Sequence, residues 1–432
     1  MQHREQILTD IEPETAAASY RTLGLDRWTD VELLQAAAAI ISKPKLKVRD
    51  SFELHAPLEL LARYSLLPLV APEDRDLARI RIVAAAVTYR SGSPAANDAD
   101  GLVVAMESPA QLIARLRQAI KDGNVAESDA LFMALSTRAD PAMLVGSIAD
   151  LTLRTLTSAA HAHIGLMLIA RLGADITVDV LRLARAVVRA LATDPLAELA
   201  ITTGAGRLDE LEHAMATVPS VALSAGGIMP IMRATEGAGR INDILGSRFS
   251  ADTDSGPWED AVRTSCRVAA AAMLRDNRQH AKYGWSHCLT FPQAAWALAR
   301  SSSDQALRRQ AARSAITWVV GFRSTLGQTQ LDTRLVPKRV DISLREALTQ
   351  DPEIAASVAW HADSKERHQM AAILATEASI GTDAHLCKYT LACFDASRLD
   401  AEAAPLYYAA AAYLCALWCG EESRSDIRKH LR

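Results

Sequence analysis

The chain has 432 residues, of which 50% are hydrophobic and 23% are charged, and its formal net charge at pH 7 is -4. This length and composition predict a globular protein with a substantial core. The slight acidity argues against a nucleic-acid-binding surface, because phosphate recognition needs clustered positive charge that the chain does not show.

The cysteines and the first residues indicate a protein of the reducing cytoplasm. The six cysteines, at positions 266, 288, 387, 393, 415 and 419, include no CxxC pair, so neither a zinc ribbon nor a disulfide framework is predicted. The opening stretch MQHREQILTDIEPE lacks the apolar segment of a secretory signal. The apolar run at 164–170 is too short to span a bilayer. We therefore predict a cytoplasmic protein without a membrane segment.

Apolar residues recur at intervals of three and four along most of the chain, which is typical of amphipathic helices. In chain order, the segment 79–90 suits a strand or a helix equally, and a loop is predicted at 91–101. Helices are predicted to begin after Ser108, Asp140 and Asp351, each of which precedes a proline. Two further loops are predicted at 246–257 and 322–339. We predict about fifteen to twenty helices in an all-α fold, as a single large domain of residues 1–432.

Several familiar catalytic motifs are incomplete. The stretch GAGRIN at 237–242 has two of the three glycines of a dinucleotide fingerprint, but it follows no predicted strand. Glu210 and His213 have the spacing of one half of a di-iron carboxylate site, and no second pair completes it. We therefore predict neither a built-in nicotinamide site nor a di-iron centre.

Four of the eleven histidines lie in apolar, helical segments that are far apart in sequence: His55, His161, His287 and His385. Neutral imidazole is a common metal ligand, and imidazoles that converge from different helices form metal centres. The alternative for each is a core histidine with a hydrogen-bond partner. Lys388 follows His385 by one helical turn, so both side chains can reach one point. A lysine whose ammonium reaches solvent is the alternative there.

The segments that carry these histidines read SFELHAPLELL, AAHAHIG, SHCLTFPQAAWAL and DAHLCKYTLAC. In sequence and order they resemble the histidine motifs of the questin oxidase-like family, and they extend from residue 51 to residue 397. Fungal members of that family open anthraquinone rings oxidatively in polyketide pathways. The chain departs from the family pattern at Leu54, where the family has asparagine, and at Ala162, where it has glycine.

The resemblance implies a buried metal centre in which histidines and a carboxylated lysine bind one iron. The implied ligands are His55, His161, His287, His385 and Lys388. His163 is the alternative second ligand, because only one of positions 161 and 163 can lie on the inner face of a helix. Burial favours the neutral amine of Lys388, which reacts with carbon dioxide, and the resulting carbamate is an anionic oxygen ligand. We predict that Lys388 is also catalytic, as a labile ligand that moves away to admit substrate and dioxygen together.

Aromatic residues near the third and fourth motifs are predicted to line a flat, apolar substrate pocket, and core filling is the alternative. They are Tyr283, Trp285, Phe291 and Tyr389. We predict a non-haem Fe(II)-dependent oxygenase that inserts oxygen into, or cleaves a ring of, a polycyclic aromatic or quinone-like substrate. Its partners would be that small molecule and dioxygen, without nucleic acid or membrane.

The resemblance also bears on the reductant. Some members of the family are described as Baeyer–Villiger oxygenases that need NADPH, which here would bind only transiently. Two other functions remain open from the sequence. One is a zinc-type hydrolase or lyase that uses the same histidines, and the other is a helical scaffold that binds partners and holds no metal.

Overall fold

The structure is a computed structural model of the chain. It describes residues 2–45, 52–92, 107–155, 160–193, 210–223, 228–239, 257–421 and 428–429, without the single positions 277, 301, 303, 328, 329 and 335. The regular structure of these residues is helical, and they contain no β-strand. The all-α class predicted from the sequence is therefore confirmed. The assignment of residues 1–432 to one domain stays a prediction.

The chain divides into two compact units, and the first comprises residues 1–199 and 425–432. Its helices are α1 (Gln2–Thr9), α2 (Ala16–Thr22), α3 (Asp30–Ile41), α4 (Phe52–Leu66), α5 (Arg75–Gly92), α6 (Pro109–Lys121), α7 (Val125–Ser136), α8 (Pro141–Leu153), α9 (His161–Arg171), α10 (Val178–Leu181) and α11 (Arg185–Thr193). Ser108 and Gln111 form a capping box at the start of α6, and Asp140 accepts a hydrogen bond from the Met143 amide at the start of α8. Both predicted starts are confirmed.

The segment 79–90 lies within α5 and is helical. Its apolar side chains Ile80, Val83 and Val87 recur at helical spacing and are buried, and α5 packs against α3 and α4. The β-branched residues that suited a strand therefore form the inner face of a helix, because burial decides their conformation more strongly than propensity does.

The second unit comprises residues 200–424. Its α-helices are α12 (Leu211–Ala216), α13 (Ile228–Gly237), α14 (Pro257–Arg275), α15 (Ser286–Arg300), α16 (Gln305–Leu326), α17 (Leu344–Ala347), α18 (Pro352–Trp360), α19 (Ser364–Ile380), α20 (Ala384–Leu399) and α21 (Ala404–Glu421). A five-residue π-helix, Ala281–Trp285, leads directly into α15. Asp351 accepts a hydrogen bond from the Glu353 amide at the start of α18, which confirms the third predicted start.

The core of the second unit forms where α15 packs along α16 and against α20, while α21 covers α18 and α20. Phe291 on α15 and Trp318 on α16 are fully buried, and their ring centroids are 4.7 Å apart. The Trp318 indole nitrogen donates a hydrogen bond of 3.1 Å to the backbone carbonyl of His287. Aromatic packing therefore fixes the backbone of α15 at one of the predicted site residues.

One stretch, 401–420, is long and apolar enough to cross a membrane by length and composition alone. Of the 18 most apolar residues in this stretch, 67% are buried inside the protein. Helix α21 forms most of the stretch and packs against four other helices of its unit. Core helices of globular proteins have the same composition. Packing in the second unit therefore accounts for the apolar character of α21.

The loop predicted at 322–339 begins later than expected. Phe322 continues the buried face of α16, which ends at Leu326 and is followed by Gly327. Most of the loop predicted at 91–101 and of the loop predicted at 246–257 lies outside the described residues, as does the second half of GAGRIN. His213, discounted as a metal ligand, is exposed.

Candidate metal centre

In the first unit, His55 and His161 form an edge-to-face pair. Their ring centroids are 4.4 Å apart and their planes meet at 87°. His55 lies on α4 and His161 is the first residue of α9. The two helices pack closely one turn further along, where a Cβ atom on Gly165 would lie 3.4 Å from the Leu58 side chain. A methyl group at position 165 would thus be in ordinary contact, whereas a larger side chain would push apart the two helices that carry the imidazoles.

The backbone immediately before His161 is strained. Ala160 has a φ of 67°, in the left-handed region, and is the one residue other than glycine with a positive φ in the described part of the chain. Such a conformation costs about 1 kcal/mol or more for a residue with a Cβ atom. This cost is offset by packing, since Ala160 and His161 are both buried. The strained residue sets the direction in which α9 begins and so the direction of the His161 side chain.

His163, the alternative second ligand, faces a different neighbour. Its imidazole is fully buried beside the backbone of Thr152 on α8. Burial lowers the pKa of His163 to about 3, so the ring stays neutral at physiological pH. Two residues along a helix are about 200° apart, which explains why His161 contacts His55 while His163 contacts α8. This arrangement favours His161 over His163.

In the second unit, the backbone fixes the tautomer of His287. Its Nδ1 lies 2.8 Å from the carbonyl oxygen of Tyr283, in the π-helix. A carbonyl can only accept, so Nδ1 carries the proton and Nε2 presents its lone pair. The Nε2 atom lies 3.1 Å from Nζ of Lys388. The unprotonated ring nitrogen of His287 is therefore directed at Lys388.

A carboxylate fixes His385 in the same way. Its Nδ1 donates to Oδ1 of Asp383 at 2.8 Å, and the same oxygen accepts the His385 amide at 2.6 Å as the cap of α20. Burial would raise the pKa of Asp383, but the hydrogen bond and the charge of His385 outweigh it and leave that pKa below its usual value. The ring centroids of His385 and His287 are 4.9 Å apart, and the ring planes meet at 65°. Asp383 thus orients one member of a histidine pair.

Lys388 is one turn after His385 on α20 and has 2% of its surface exposed. Burial lowers the pKa of its amine to about 7, although the charge of Asp383 opposes that shift. A lysine that reaches solvent is excluded by this placement. Burial, together with the charge of Lys388, also lowers the pKa of His385. The second unit therefore places a partly neutral amine beside two imidazoles.

The aromatic residues predicted to bind substrate are placed in two ways. Trp285, Phe291 and Tyr389 are fully buried in the second unit. Tyr283 is 57% exposed, and its ring lies edge-on to that of His385 with the centroids 4.9 Å apart. Tyr283 alone of the four thus reaches both solvent and a candidate ligand. Substrate binding by any of the four residues stays a prediction.

Sequence reasoning missed two groups that orient the histidines: the Asp383 carboxylate and the Tyr283 carbonyl. Asp383 could have been found, since an aspartate two residues before a histidine at a helix start can cap the helix and reach the ring. The carbonyl had no signal, because a π-helix has no distinctive sequence pattern. The thiol of Cys387, next to His385, is engaged elsewhere, because its Sγ donates to the Ala378 carbonyl at 2.9 Å.

Comparison of the chain with family models, with curated proteins and with solved structures finds no match in any of the three.

Proposed function

We propose that the two histidine pairs bind one metal ion together, with His55, His161, His287 and His385 as nitrogen ligands and Lys388 as an oxygen ligand after carboxylation. We further propose that the ion is Fe(II) and that the protein is an oxygenase of polycyclic aromatic or quinone-like molecules, as its resemblance to the questin oxidase-like family implies. The free cysteines, five of them buried, suit the reducing cytoplasm as its location.

The orientation of the second-unit imidazoles supports metal binding. Metal-bound histidines almost always donate their other ring nitrogen to a carboxylate or a backbone carbonyl, which fixes the ring and increases its basicity. His385 has the carboxylate of Asp383 and His287 has the carbonyl of Tyr283 as that acceptor. Both rings use Nδ1 for this orienting bond, and Nε2 of His287 is directed at Nζ of Lys388. The residues present therefore fit a metal.

The position of Lys388 is the observation that carries the proposal. Its Nζ atom lies 3.1 Å from Nε2 of His287, on the side of the ring where an ion bound to His287 would lie. A pKa of about 7 makes a large share of the amine neutral at physiological pH. The neutral amine attacks carbon dioxide, a carbon–nitrogen bond forms, and one proton is released to give the carbamate. That anion offsets charge on the cation and removes an ammonium from its vicinity.

Iron, when bound, would supply the activation of dioxygen for attack on the aromatic substrate. The residues of the chain have other tasks. Asp383 and Tyr283 hold the imidazoles in position, and burial of Lys388 and His385 excludes water. The exposed ring of Tyr283, edge-on to His385, is the point at which a flat substrate would approach. Movement of the Lys388 side chain would make room for the substrate oxygen.

The first test is the metal content of anaerobically purified protein. We expect one iron per chain in the wild type, and loss of nearly all of it in both His55→Ala/His161→Ala and His287→Ala/His385→Ala. A matched control is His213→Ala/His368→Ala, which removes two exposed histidines and should keep one iron. Stoichiometric metal in only one of the two site variants would show that the pairs do not share an ion. If the purified wild-type protein contained no metal, the result would instead support the function of a helical scaffold.

The second test addresses Lys388. Lys388→Ala should abolish oxygen consumption with a quinone or phenol substrate while lowering iron occupancy only partly, because four imidazoles remain. Lys388→Arg keeps a cation that cannot be carboxylated. Wild-type protein incubated with ¹³C-bicarbonate should show a carbamate carbon by NMR, and both variants should lack it. Normal turnover in Lys388→Ala would refute the role of this residue. Full activity with zinc in the absence of dioxygen would instead indicate a hydrolase or lyase.

A further inference from the structure

Helix α16 contains an arginine that is buried without a charged partner among the described residues. Arg313 is 7% exposed, and its Nε and Nη2 atoms are buried and have no hydrogen-bond acceptor. Buried charges in proteins are ordinarily paired, because an unpaired charge is costly to remove from water. The other deeply buried arginine of this helix follows that rule, since Arg323 is paired with Asp276. Arg313 is therefore the exception that needs an explanation.

The surroundings of Arg313 add positive charge to the same place. Burial lowers the pKa of Arg313, and the charge of Arg309, one helical turn earlier, lowers it further. Neither α16 nor the neighbouring helix α15 contains an aspartate or a glutamate. The two arginines therefore form a patch of like charge that no carboxylate of these two helices offsets.

Helix α14, which packs along α16, does not supply the missing carboxylate either. It meets Arg309 with an aromatic ring, since the guanidinium carbon of Arg309 lies 5.9 Å from the centroid of Trp258. The two carboxylates that follow Trp258, Glu259 and Asp260, both bind Arg263 on their own helix, the second at 3.1 Å. The acidic groups at this end of α14 are thus engaged within α14.

A hydroxyl group extends the patch along α16. Thr317 lies one turn after Arg313 and is 3% exposed, and its Oγ1 atom is also buried without a hydrogen-bond partner. A threonine inside a helix commonly donates to the carbonyl four residues earlier, as Thr235 does. Arg309, Arg313 and Thr317 recur at intervals of four and so share one face of the helix. Arg309 is half-buried, which leaves its end of this row open to solvent.

We propose that Arg309, Arg313 and Thr317 bind a phosphate group, either as the free ion or as a monoester of a small molecule. Two guanidinium groups match the two negative charges of the group, and their planar sets of donors suit its oxygens. The hydroxyl of Thr317 can donate to a further oxygen. The bound anion would give Arg313 the partner that the chain withholds. This site is separate from the proposed metal centre, because no residue belongs to both.

Calorimetric titration of the full-length protein tests the proposal at constant ionic strength and mildly alkaline pH, where phosphate is a dianion. We expect inorganic phosphate to bind at one site per chain, at least about tenfold more tightly than acetate, which has one charge. Phenyl phosphate distinguishes the two sources: equal or tighter binding identifies a monoester, and weaker binding identifies the free ion. Equal affinities for phosphate and acetate, or no saturable binding of phosphate, would overturn the proposal.

Variants locate the binding. Arg313→Met and Arg309→Met should each weaken inorganic phosphate about tenfold or more. Thr317→Val should weaken it about fivefold, as expected for one neutral hydrogen bond. Arg345→Met is the matched control, since it removes an exposed arginine on α17 of the same unit, and it should bind phosphate normally. Unchanged affinity in both Arg309→Met and Arg313→Met would refute the site.

Urea unfolding distinguishes a ligand site from an arginine that serves packing alone. Without phosphate, Arg313→Met should unfold at the same or a higher urea concentration than the wild type, because the variant lacks the buried unpaired charge. Phosphate should raise the unfolding midpoint of the wild type and leave that of Arg313→Met unchanged. A wild-type midpoint that does not respond to phosphate would contradict the proposal. If Arg313→Met did not fold, Arg309→Met, at a half-buried position, would provide the same comparison.

Discussion

Replacement of Asp383 is the sharpest test of the orientation of His385. Asp383 has two roles that can be separated by choice of residue. Its Oδ1 atom caps α20 through the His385 amide at 2.6 Å and holds the His385 ring through Nδ1 at 2.8 Å. Asp383→Asn keeps an oxygen acceptor for both bonds but removes the charge. Asp383→Ala removes both bonds and the charge.

The expected losses follow from those two bonds. Removal of a partner that orients a metal-bound histidine costs about 10- to 100-fold in metal affinity, which corresponds to about 1.4 to 2.8 kcal/mol. Loss of an N-cap costs about 1 kcal/mol of folding stability. We therefore expect Asp383→Ala to lose about 10- to 100-fold in metal affinity and about 1 kcal/mol of folding stability. Asp383→Asn should retain most of the stability and lose metal affinity toward the lower end of that range, because the neutral amide is a weaker acceptor.

The assay is competition for Fe(II) with a chelator under anaerobic conditions, alongside urea unfolding of the metal-free protein. Asp363→Ala is the matched control, since Asp363 caps α19 by a bond of 2.8 Å from the Glu366 amide and touches no candidate ligand. It should lose a similar amount of stability and no metal affinity. If Asp383→Ala and Asp363→Ala bound Fe(II) equally well, Asp383 would be a helix cap only.

Three further outcomes test the first unit. Gly165→Leu should lower metal affinity at least tenfold, because the leucine side chain forces α4 and α9 apart. Gly165→Ala should bind metal normally, since its Cβ atom is in ordinary contact. Equal metal affinities of these two variants would refute the close approach of the helices. His161→Ala should lose the iron, and His163→Leu should retain it with lower stability by unfolding; the reverse would make His163 the ligand. Arg185→Met should lower the free energy of unfolding by about 3 to 5 kcal/mol, because it leaves the carboxylate of Asp129 buried without its main partner. In the wild type, Arg185 donates to the two oxygens of Asp129 at 2.5 Å and 2.7 Å. A loss below about 1 kcal/mol in urea unfolding would contradict this prediction.

The helical class and several helix starts are determined by the sequence, because they depend on interactions between residues close along the chain. Capping side chains lie within a few residues of the amides that they bind, as at Ser108, Asp140 and Asp351. The predicted proximity of His385 and Lys388 likewise follows from their spacing of one helical turn. Segment 79–90 suited a strand or a helix equally, and the loop predicted from residue 322 was wrong for residues 322–326, which are helical; in both places burial against other helices decided the outcome.

The details of the candidate site were decided by the tertiary structure. Which of His161 and His163 meets His55 depends on the contact of α4 with α9 at Gly165, and those helices are far apart in sequence. The tautomer of His287 depends on a carbonyl that the π-helix exposes, and the pKa of Lys388 depends on its complete burial. Distance, tautomer and desolvation arise only when distant segments pack together. The sequence therefore determined which residues could form a metal site, and packing decided which atoms they present.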